Sequence, residues 1–220
     1  NVYQNKLKFK REVIADRGVW IAKKRYALNV YNSEGIQYSE PKLKVMGLEI
    51  VRSSTPAPAR EALKDAVAII LREDEMTLRK YVKDLEKEWF KMTANDIAFP
   101  RSVNNLKKYV DASSLFRKGT PIHVAGALIY NFLLEQKQLQ KKYQKIQEGD
   151  KIKFVYLKEP NPIGTHAITF LGDFAPELNL EQYVDHQTMF DKAFLDPLTT
   201  LLECVGWKLK EQASLEGLFV

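Results

Sequence analysis

Four consecutive residues near the start of the chain combine positive charge with an aromatic hydroxyl: Lys23, Lys24, Arg25 and Tyr26. On a strand, successive side chains point to opposite faces, so one of the three cations would face the covered side of a sheet. Burying a lysine without a partner is costly, whereas phosphate gives Lys and Arg charge-assisted hydrogen bonds. The tetrapeptide therefore predicts a site for a phosphate backbone. An edge strand protected by charge is the alternative.

Residue patterns that support catalysis are missing from the sequence. The three histidines, His123, His166 and His186, lie far apart and lack the spacing of metal ligands. The ten glycines occur singly beside predicted turns, so there is no glycine-rich phosphate loop, and no Gly-x-Ser-x-Gly motif occurs. These absences favour a binding protein over a catalyst.

Positive charge is concentrated in two blocks of the chain. Residues 1–47 hold ten basic and four acidic side chains, and residues 101–170 hold twelve and five, whereas residues 171–220 hold three and nine. If both blocks lie on one side of the fold, they form a surface that attracts a polyanion. A solvated mosaic of charges is the alternative.

Composition places the chain among ordinary globular proteins. Hydrophobic residues make up 45% and charged residues 28% of 220 residues, and no apolar run approaches the ~20 residues that span a membrane. The single cysteine, Cys204, rules out an intramolecular disulfide framework, suggests a reducing setting, and is expected to be a buried hydrophobe. The first residue is Asn1, which suggests a chain cut from something longer.

Short β-prone runs predict an antiparallel sheet near the N-terminus. Residues 27–31 and 36–38 flank a turn at Asn32-Ser33-Glu34-Gly35, and we expect a hairpin there. Val2–Phe9 and Val13-Ile14 are expected to add strands to this sheet. A second pair of strands is predicted at Lys151–Leu157 and Ala167–Phe170.

Helix-start signals divide the remainder of the chain. We expect Thr55 and Asp74 to cap an antiparallel pair of helices, and Ser102 to cap a short helix over Val103–Tyr109 with exposed amides at its start. Thr120-Pro121 is predicted to begin a long helix over Ile122–Tyr143. Acidic helices are expected from Leu180 to Glu203 with a break at Asp196-Pro197, and the tail from Lys208 is expected to be free.

Several ordered motifs resemble family B DNA polymerases of T-even-like myoviruses, of the marine or cyanophage type. The resemblance begins at the tetrapeptide and covers nearly the whole chain. The matching blocks are Lys10–Trp20, Lys23–Val30, Glu40–Glu49 with Ser53–Pro56, Lys118–Val124, and Glu148–Lys151 with Asn161–Gly164.

This resemblance implies an α+β fold in three parts. Residues 1–47 would form the C-terminal part of the palm, residues 48–207 a mainly helical thumb with a small β element, and residues 208–220 a tail that binds the sliding clamp. It implies that Lys23, Lys24, Arg25 and Tyr26 grip the primer end of the primer–template duplex. Further DNA contacts are expected from two later segments: Arg101, Ser102, Asn104, Asn105 and Lys107, then Lys118, Thr120 and His123.

The resemblance assigns no catalytic residue to this chain. In the family, the metal-binding aspartates, the fingers and the editing exonuclease lie upstream of the matching region, so Mg²⁺ is expected in the complete polymerase and no cofactor on this chain. The expected partners are duplex DNA, an upstream polypeptide with exonuclease, fingers and palm, and a sliding clamp. The expected location is the host cell cytoplasm.

The last residues resemble the family's clamp-binding peptide, and their pattern supports that interpretation. Leu215, Leu218 and Phe219 have helix-like spacing in a polar segment, as anchors for a hydrophobic pocket do. Packing back onto the body of the chain is the alternative.

The sequence leaves three functions open. The chain is interpreted as part of a phage DNA polymerase, either a naturally split subunit or an excised fragment, and as inactive alone. A stand-alone DNA-binding module and a clamp-interaction protein that ignores DNA are the other two.

Overall fold

The computed structural model describes residues 10–111 and 113–209, and these form an α+β fold as predicted. The strands are β1 (Val13–Ala22), β2 (Arg25–Ser33), β3 (Ile36–Met46), β4 (Phe99–Ser102), β5 (Val110–Asp111), β6 (Leu115–Phe116), β7 (Lys151–Tyr156) and β8 (Ala167–Phe170). The helices are α1 (Ala57–Arg72), α2 (Glu75–Trp89), α3 (Ala94–Ile97), α4 (Leu106–Tyr109), α5 (Ile122–Gln136), α6 (His186–Phe190) and α7 (Asp196–Val205).

The N-terminal sheet has the antiparallel order β1-β2-β3. The predicted hairpin is confirmed: Glu34 and Gly35 form its two-residue turn, and both have the positive φ that a type I′ turn requires. Val13-Ile14 begins β1, also as predicted, whereas the strand expected at Val2–Phe9 lies outside the described residues.

The sheet is fixed to the C-terminal end of α1. Arg72 donates from Nε to Asn29 Oδ1 at 3.1 Å and from Nη2 to the carbonyl oxygen of Pro41 at 2.9 Å. Arg17 Nη1 donates to the carbonyl oxygen of Leu71 at 3.2 Å. Helix α1 thus contacts all three strands through its last turn.

Helices α1 and α2 form the predicted antiparallel pair, but only one of the two predicted caps is confirmed. Asp74 accepts from the amide of Thr77 at 2.8 Å and caps α2. At α1 the prediction is wrong: Pro56 takes the N-cap position and no side chain caps the helix. Pro58, in the first turn, has no amide hydrogen, so fewer donors need a cap there.

The second sheet has the order β4-β7-β8, and helix α5 covers it. The predicted strands at 151–157 and 167–170 are confirmed. Helix α5 lies so close to β8 that a Cβ on Gly126 would be 2.6 Å from Thr169 Oγ1. The helix ends at Gln136 rather than Tyr143, because the side chain of Asn131 bonds both backbone groups of Ile146 at 2.8 Å and turns the chain back.

The C-terminal helices are continuous, contrary to the predicted break at Asp196-Pro197. A π-helical turn, Asp191–Leu195, joins α6 to α7. Its wider hydrogen-bonding pattern accommodates Pro197, whose missing amide would otherwise disrupt the helix. Cys204, expected to be buried, is exposed near the end of α7.

One core unites the two sheets and the helices. Trp89 is fully buried, donates from Nε1 to the carbonyl oxygen of His186 at 3.1 Å, and packs against Phe190 with ring centroids 5.5 Å apart. Within the described ranges, no helix is long and apolar enough to cross a bilayer.

Candidate nucleic-acid interface

Two members of the tetrapeptide lie in a turn, not on a strand. Lys23 and Lys24 form the exposed two-residue connection between β1 and β2, and Lys24 has a φ of +63°. The expectation that alternating cations face opposite sides of a strand is therefore wrong, because the strand begins only at Arg25. Both lysines extend into solvent, where they are accessible to an anion.

Arg25 is partly neutralised within the fold. Its Nη2 lies 3.5 Å from Glu49 Oε1, and Arg52 Nη1 lies 3.3 Å from the same oxygen. The Nε of Arg25 is buried without a hydrogen-bond partner. Two guanidinium groups thus share one carboxylate, and a net positive charge remains beside the turn. Tyr26, half-buried, follows on β2.

The segment 47–54 joins this turn to a second group of basic residues. At its start, Gly47 lies against the carbonyl oxygen of Lys24. At its end, the carbonyl oxygen of Ser54 accepts from Arg101 Nη1 at 2.5 Å. The two basic regions predicted from sequence are therefore anchored to opposite ends of one short segment.

Arg101 is held by aromatic rings as well as by backbone carbonyl groups. Its guanidinium carbon lies 5.5 Å from the ring centroid of Phe99 and 5.7 Å from that of Phe154, and Nη1 also donates to the carbonyl oxygen of Pro100 at 2.8 Å. Partial burial lowers the pKa of Arg101, but a guanidinium stays protonated in proteins. Arg101 thus contributes a fixed positive charge.

A cleft of about 470 Å³ lies beside Arg101. The pairing of β4 with β7 explains the positive charge of the cleft. Ser102 pairs with Lys151 and Pro100 with Lys153, so these four side chains share one face of the β4–β7 ladder. The opposite face carries Ile152 with its partner Arg101, and the buried aromatic residues on which Arg101 packs. We call this site the basic cleft; its walls are Ser53, Ser54, Pro100, Arg101, Ser102, Lys151, Ile152, Lys153 and Gly172.

Sequence reasoning missed the two lysines of the basic cleft. The signal was present, because residues 151–157 alternate basic with apolar side chains, which places Lys151 and Lys153 on one face of a strand. Lys151 is exposed and Lys153 is half-buried.

The helix predicted over Val103–Tyr109 is shorter than expected, and Ser102 does not cap it. Ser102 ends β4, and the four-residue helix α4 begins only after Asn105, which has a φ of +60°. The amides of Asn105 and Leu106 donate to the carboxylate of Glu148 at 2.5 and 2.7 Å. The amides expected to meet a phosphate are therefore already bonded, whereas the side chains of Asn104 and Lys107 are exposed.

The second predicted anchor lies near the first. The ring of His123 is 6.2 Å from that of Phe154, on which Arg101 also packs. Burial lowers the pKa of His123, and the charge of Arg101 lowers it further. Thr120 Oγ1 donates to the carbonyl oxygen of Arg117 at 2.7 Å. Lys118 is exposed in the turn before Gly119.

A comparison with protein families is decisive at this point. Residues 1–205 match the family model described as DNA polymerase family B. The chain belongs to this family.

Three curated proteins to which the chain is similar are DNA polymerases. The chain is 36% identical over 206 residues to the DNA-directed DNA polymerase of Enterobacteria phage T4, and 35% identical over 207 residues to that of Escherichia phage RB69. Both alignments cover 92% of this chain and 22% of the relative. A DNA polymerase of Thermococcus hydrothermalis is 28% identical over 202 residues, which are 89% of this chain and 10% of that protein.

The chain therefore spans about a fifth of the length of the phage polymerases that it matches. Within residues 10–111 and 113–209, no group of three or more His, Cys, Asp or Glu side chains is arranged to hold a metal ion.

Proposed function

We propose that this chain is the duplex-binding C-terminal part of a phage replicative DNA polymerase. Residues 1–47 complete the palm, residues 48–207 form the thumb, and the basic cleft and the Lys23-Lys24 turn bind the backbone of primer–template DNA. The upstream polypeptide, with exonuclease, fingers and catalytic palm, supplies the carboxylates for Mg²⁺. Replication takes place in the host cytoplasm.

The arrangement of the basic cleft is the observation that carries this proposal. Lys151 and Lys153 lie on one strand face with the hydroxyl of Ser102, and Arg101 lines the cleft from the opposite face of the ladder. Two lysines on one face, with several hydroxyl groups around one open cleft, suit phosphate oxygens, which accept hydrogen bonds from such groups without regard to base sequence.

Family membership supports the proposal further, since the matched region includes the turn, the segment 47–54 and the basic cleft. Among the other predicted residues, Arg101 lines the cleft, the ring of His123 lies near that of Phe154, and Lys118 is exposed in the turn before α5. Asn104, Asn105 and Lys107 extend the surface beyond β4. Asn105 would contribute its side chain, since Glu148 occupies its amide.

Salt-dependent binding to duplex DNA tests the proposal. We expect the full chain with Lys151→Ala and Lys153→Ala to bind a primer–template duplex more weakly, with a salt slope flatter by about two units, because each neutralised phosphate contributes about 0.9. The matched control is Lys80→Ala with Lys83→Ala, two exposed lysines of α2. Equal slopes for the two double variants would contradict the proposed role of the cleft.

The tail is proposed to tether the polymerase to a sliding clamp. The residues concerned, Leu215, Leu218 and Phe219, lie outside the described residues, so this part of the proposal depends on the sequence pattern alone. We expect Phe219→Ala to weaken clamp binding by about 2 kcal/mol, as for an anchor residue in a pocket, and to leave duplex affinity unchanged. Equal losses in both assays would assign Phe219 to the folded body.

Polymerase assays distinguish a subunit from a stand-alone binder. Mixed with a polypeptide that carries the exonuclease, fingers and catalytic palm, the chain is expected to restore nucleotide incorporation, whether it is a natural subunit or a fragment. Duplex binding without any restored incorporation would instead support a stand-alone DNA-binding module.

A further inference from the structure

The end of the described chain is fixed at an unexpected point. The tail was predicted to be free from Lys208, but the amide of Lys208 donates to Glu75 Oε1 at 2.7 Å and its carbonyl oxygen accepts from Arg79 Nε at 2.8 Å. Glu75 and Arg79 also bond each other, at 2.6 Å, on the first turns of α2. Both backbone groups of Lys208 are therefore held.

An apolar groove lies directly beside this fixed point. It has a volume of about 550 Å³ and lies between the end of α7 and the turn that follows. We call it the tail groove; its walls include Leu202, Trp207 and Leu209, with Thr199 and Glu203 at the rim. The last residue described, Leu209, is part of its wall.

We propose that the tail groove binds the apolar residues of the C-terminal segment, Leu215, Leu218 and Phe219. The described chain ends at Leu209, in the wall of the groove, so the segment that follows starts at the groove itself. This docking is a separate property from DNA binding and does not depend on the proposed function.

The geometry of the chain permits this docking. Leu215 is the sixth residue after Leu209, and six extended residues span at most about 20 Å. Helix α7 has ten residues and is therefore about 15 Å long. Leu215 can accordingly reach any part of the groove, and the residues after it can lie along the groove.

Docking also has a favourable energetic balance. Leucine and phenylalanine side chains gain free energy when they leave water, and exposed clusters of them are uncommon on proteins. Because Glu75 and Arg79 already fix Lys208, only a short loop must be ordered, and short loops cost little closure entropy. The tether also gives the segment a high effective concentration at the groove.

Docking would compete with any partner that uses the same side chains. A tail that is docked nine-tenths of the time would weaken the apparent affinity of such a partner about tenfold. For a sliding clamp this consequence depends on the proposed function, whereas the docking measurement does not.

A spin label on Cys204 tests the docking in the full 220-residue chain. Cys204 is the single cysteine of the sequence and is exposed next to Glu203. We expect a nitroxide there to broaden the amide resonances of residues 215–219. The decisive comparison is Thr199→Arg, an exposed rim position, which should reduce this broadening to that of a freely moving tail by filling the groove.

Two further variants complete the experiment. Thr200→Arg, one residue along the same helix and outside the groove, should leave the broadening intact. Leu215→Ser with Phe219→Ser removes the apolar side chains of the tail and should reduce the broadening to the same level, and it should increase the quenching of Trp207 by acrylamide. Equal broadening in the Thr199→Arg and Thr200→Arg chains would overturn the proposal. Protection of Trp207 from acrylamide that appears only when a sliding clamp is added would overturn it too, because the clamp and not the tail would then fill the groove.

Discussion

The carbonyl oxygen of Lys24 and the α-carbon of Gly47 are in such close contact that a Cβ on Gly47 would lie 2.2 Å from that oxygen. Gly47 also has a φ of +66°, which favours glycine. This contact holds the Lys23-Lys24 turn against the start of the segment that leads to the basic cleft.

Gly47→Ala is therefore expected to destabilise the chain more than the strained backbone alone would. Gly164→Ala is the matched control, because Gly164 has a φ of +57° and no atom within 4 Å of an added Cβ. We expect the collision to cost Gly47→Ala about 1–3 kcal/mol more than the control, measured by urea unfolding. Equal losses would show that the turn moves aside without cost.

Lys24→Ala and Arg25→Ala are expected to act in different ways. Lys24 is exposed, so its removal should weaken duplex binding and flatten the salt slope by about one unit. Arg25 shares Glu49 with Arg52, so its removal should weaken the packing of segment 47–54 and lower the urea midpoint. Duplex-binding titrations and urea unfolding of both variants check these two effects. A larger loss of stability in Lys24→Ala and a larger loss of salt slope in Arg25→Ala would contradict this account.

Removal of Glu148 is expected to release the start of α4. Its carboxylate accepts from the amides of Asn105 and Leu106, and loss of a helix cap typically costs about 1 kcal/mol. Glu148→Ala should therefore lower the free energy of unfolding and, by exposing two amides and removing a negative charge, strengthen duplex binding. Glu61→Ala is the control, since Glu61 is an exposed glutamate of α1. Weaker duplex binding by Glu148→Ala would contradict this account.

Duplex binding is expected to change the titration of His123. In the free chain, burial and then Arg101 lower the pKa of His123 from its ordinary value of 6.5. A phosphate near the ring would favour the protonated form and raise this pKa, so binding should take up a proton at pH values between the lowered pKa of the free chain and the raised pKa of the complex. NMR titration of the His123 imidazole resonances, with and without duplex, measures the shift. An unchanged pKa of His123 would place the phosphate elsewhere.

The same lowered pKa has a consequence for stability. The unfolded chain binds a proton at His123 more readily than the folded chain does, so stability should fall as the pH drops below 6.5. His123→Gln should reduce this dependence in urea unfolding between neutral and mildly acidic pH. An identical pH profile for the variant would show that other groups determine it.

Local signals predicted most of the secondary structure, and failures occurred where distant residues intervene. The Glu34-Gly35 turn and the Asp74 cap depend on neighbours in sequence, and both were found. The end of α5 depends on Asn131 bonding Ile146, and the start of α4 depends on Glu148; neither partner is visible in a local pattern. For the candidate site, the basic residues were recognisable, but their pairing was not, because Glu49 meets Arg25 only in the folded chain.

The bonds of Arg72 to β2 and β3 have a mechanical consequence. A linker such as residues 47–56 would normally let a sheet rotate relative to the helix that follows it. Here the sheet is attached to α1 through this linker and also through the hydrogen bonds of Arg72, at the far end of that helix. Any displacement of the β1–β2–β3 sheet is therefore transmitted to α1, and the sheet and this helix are expected to move together as one unit.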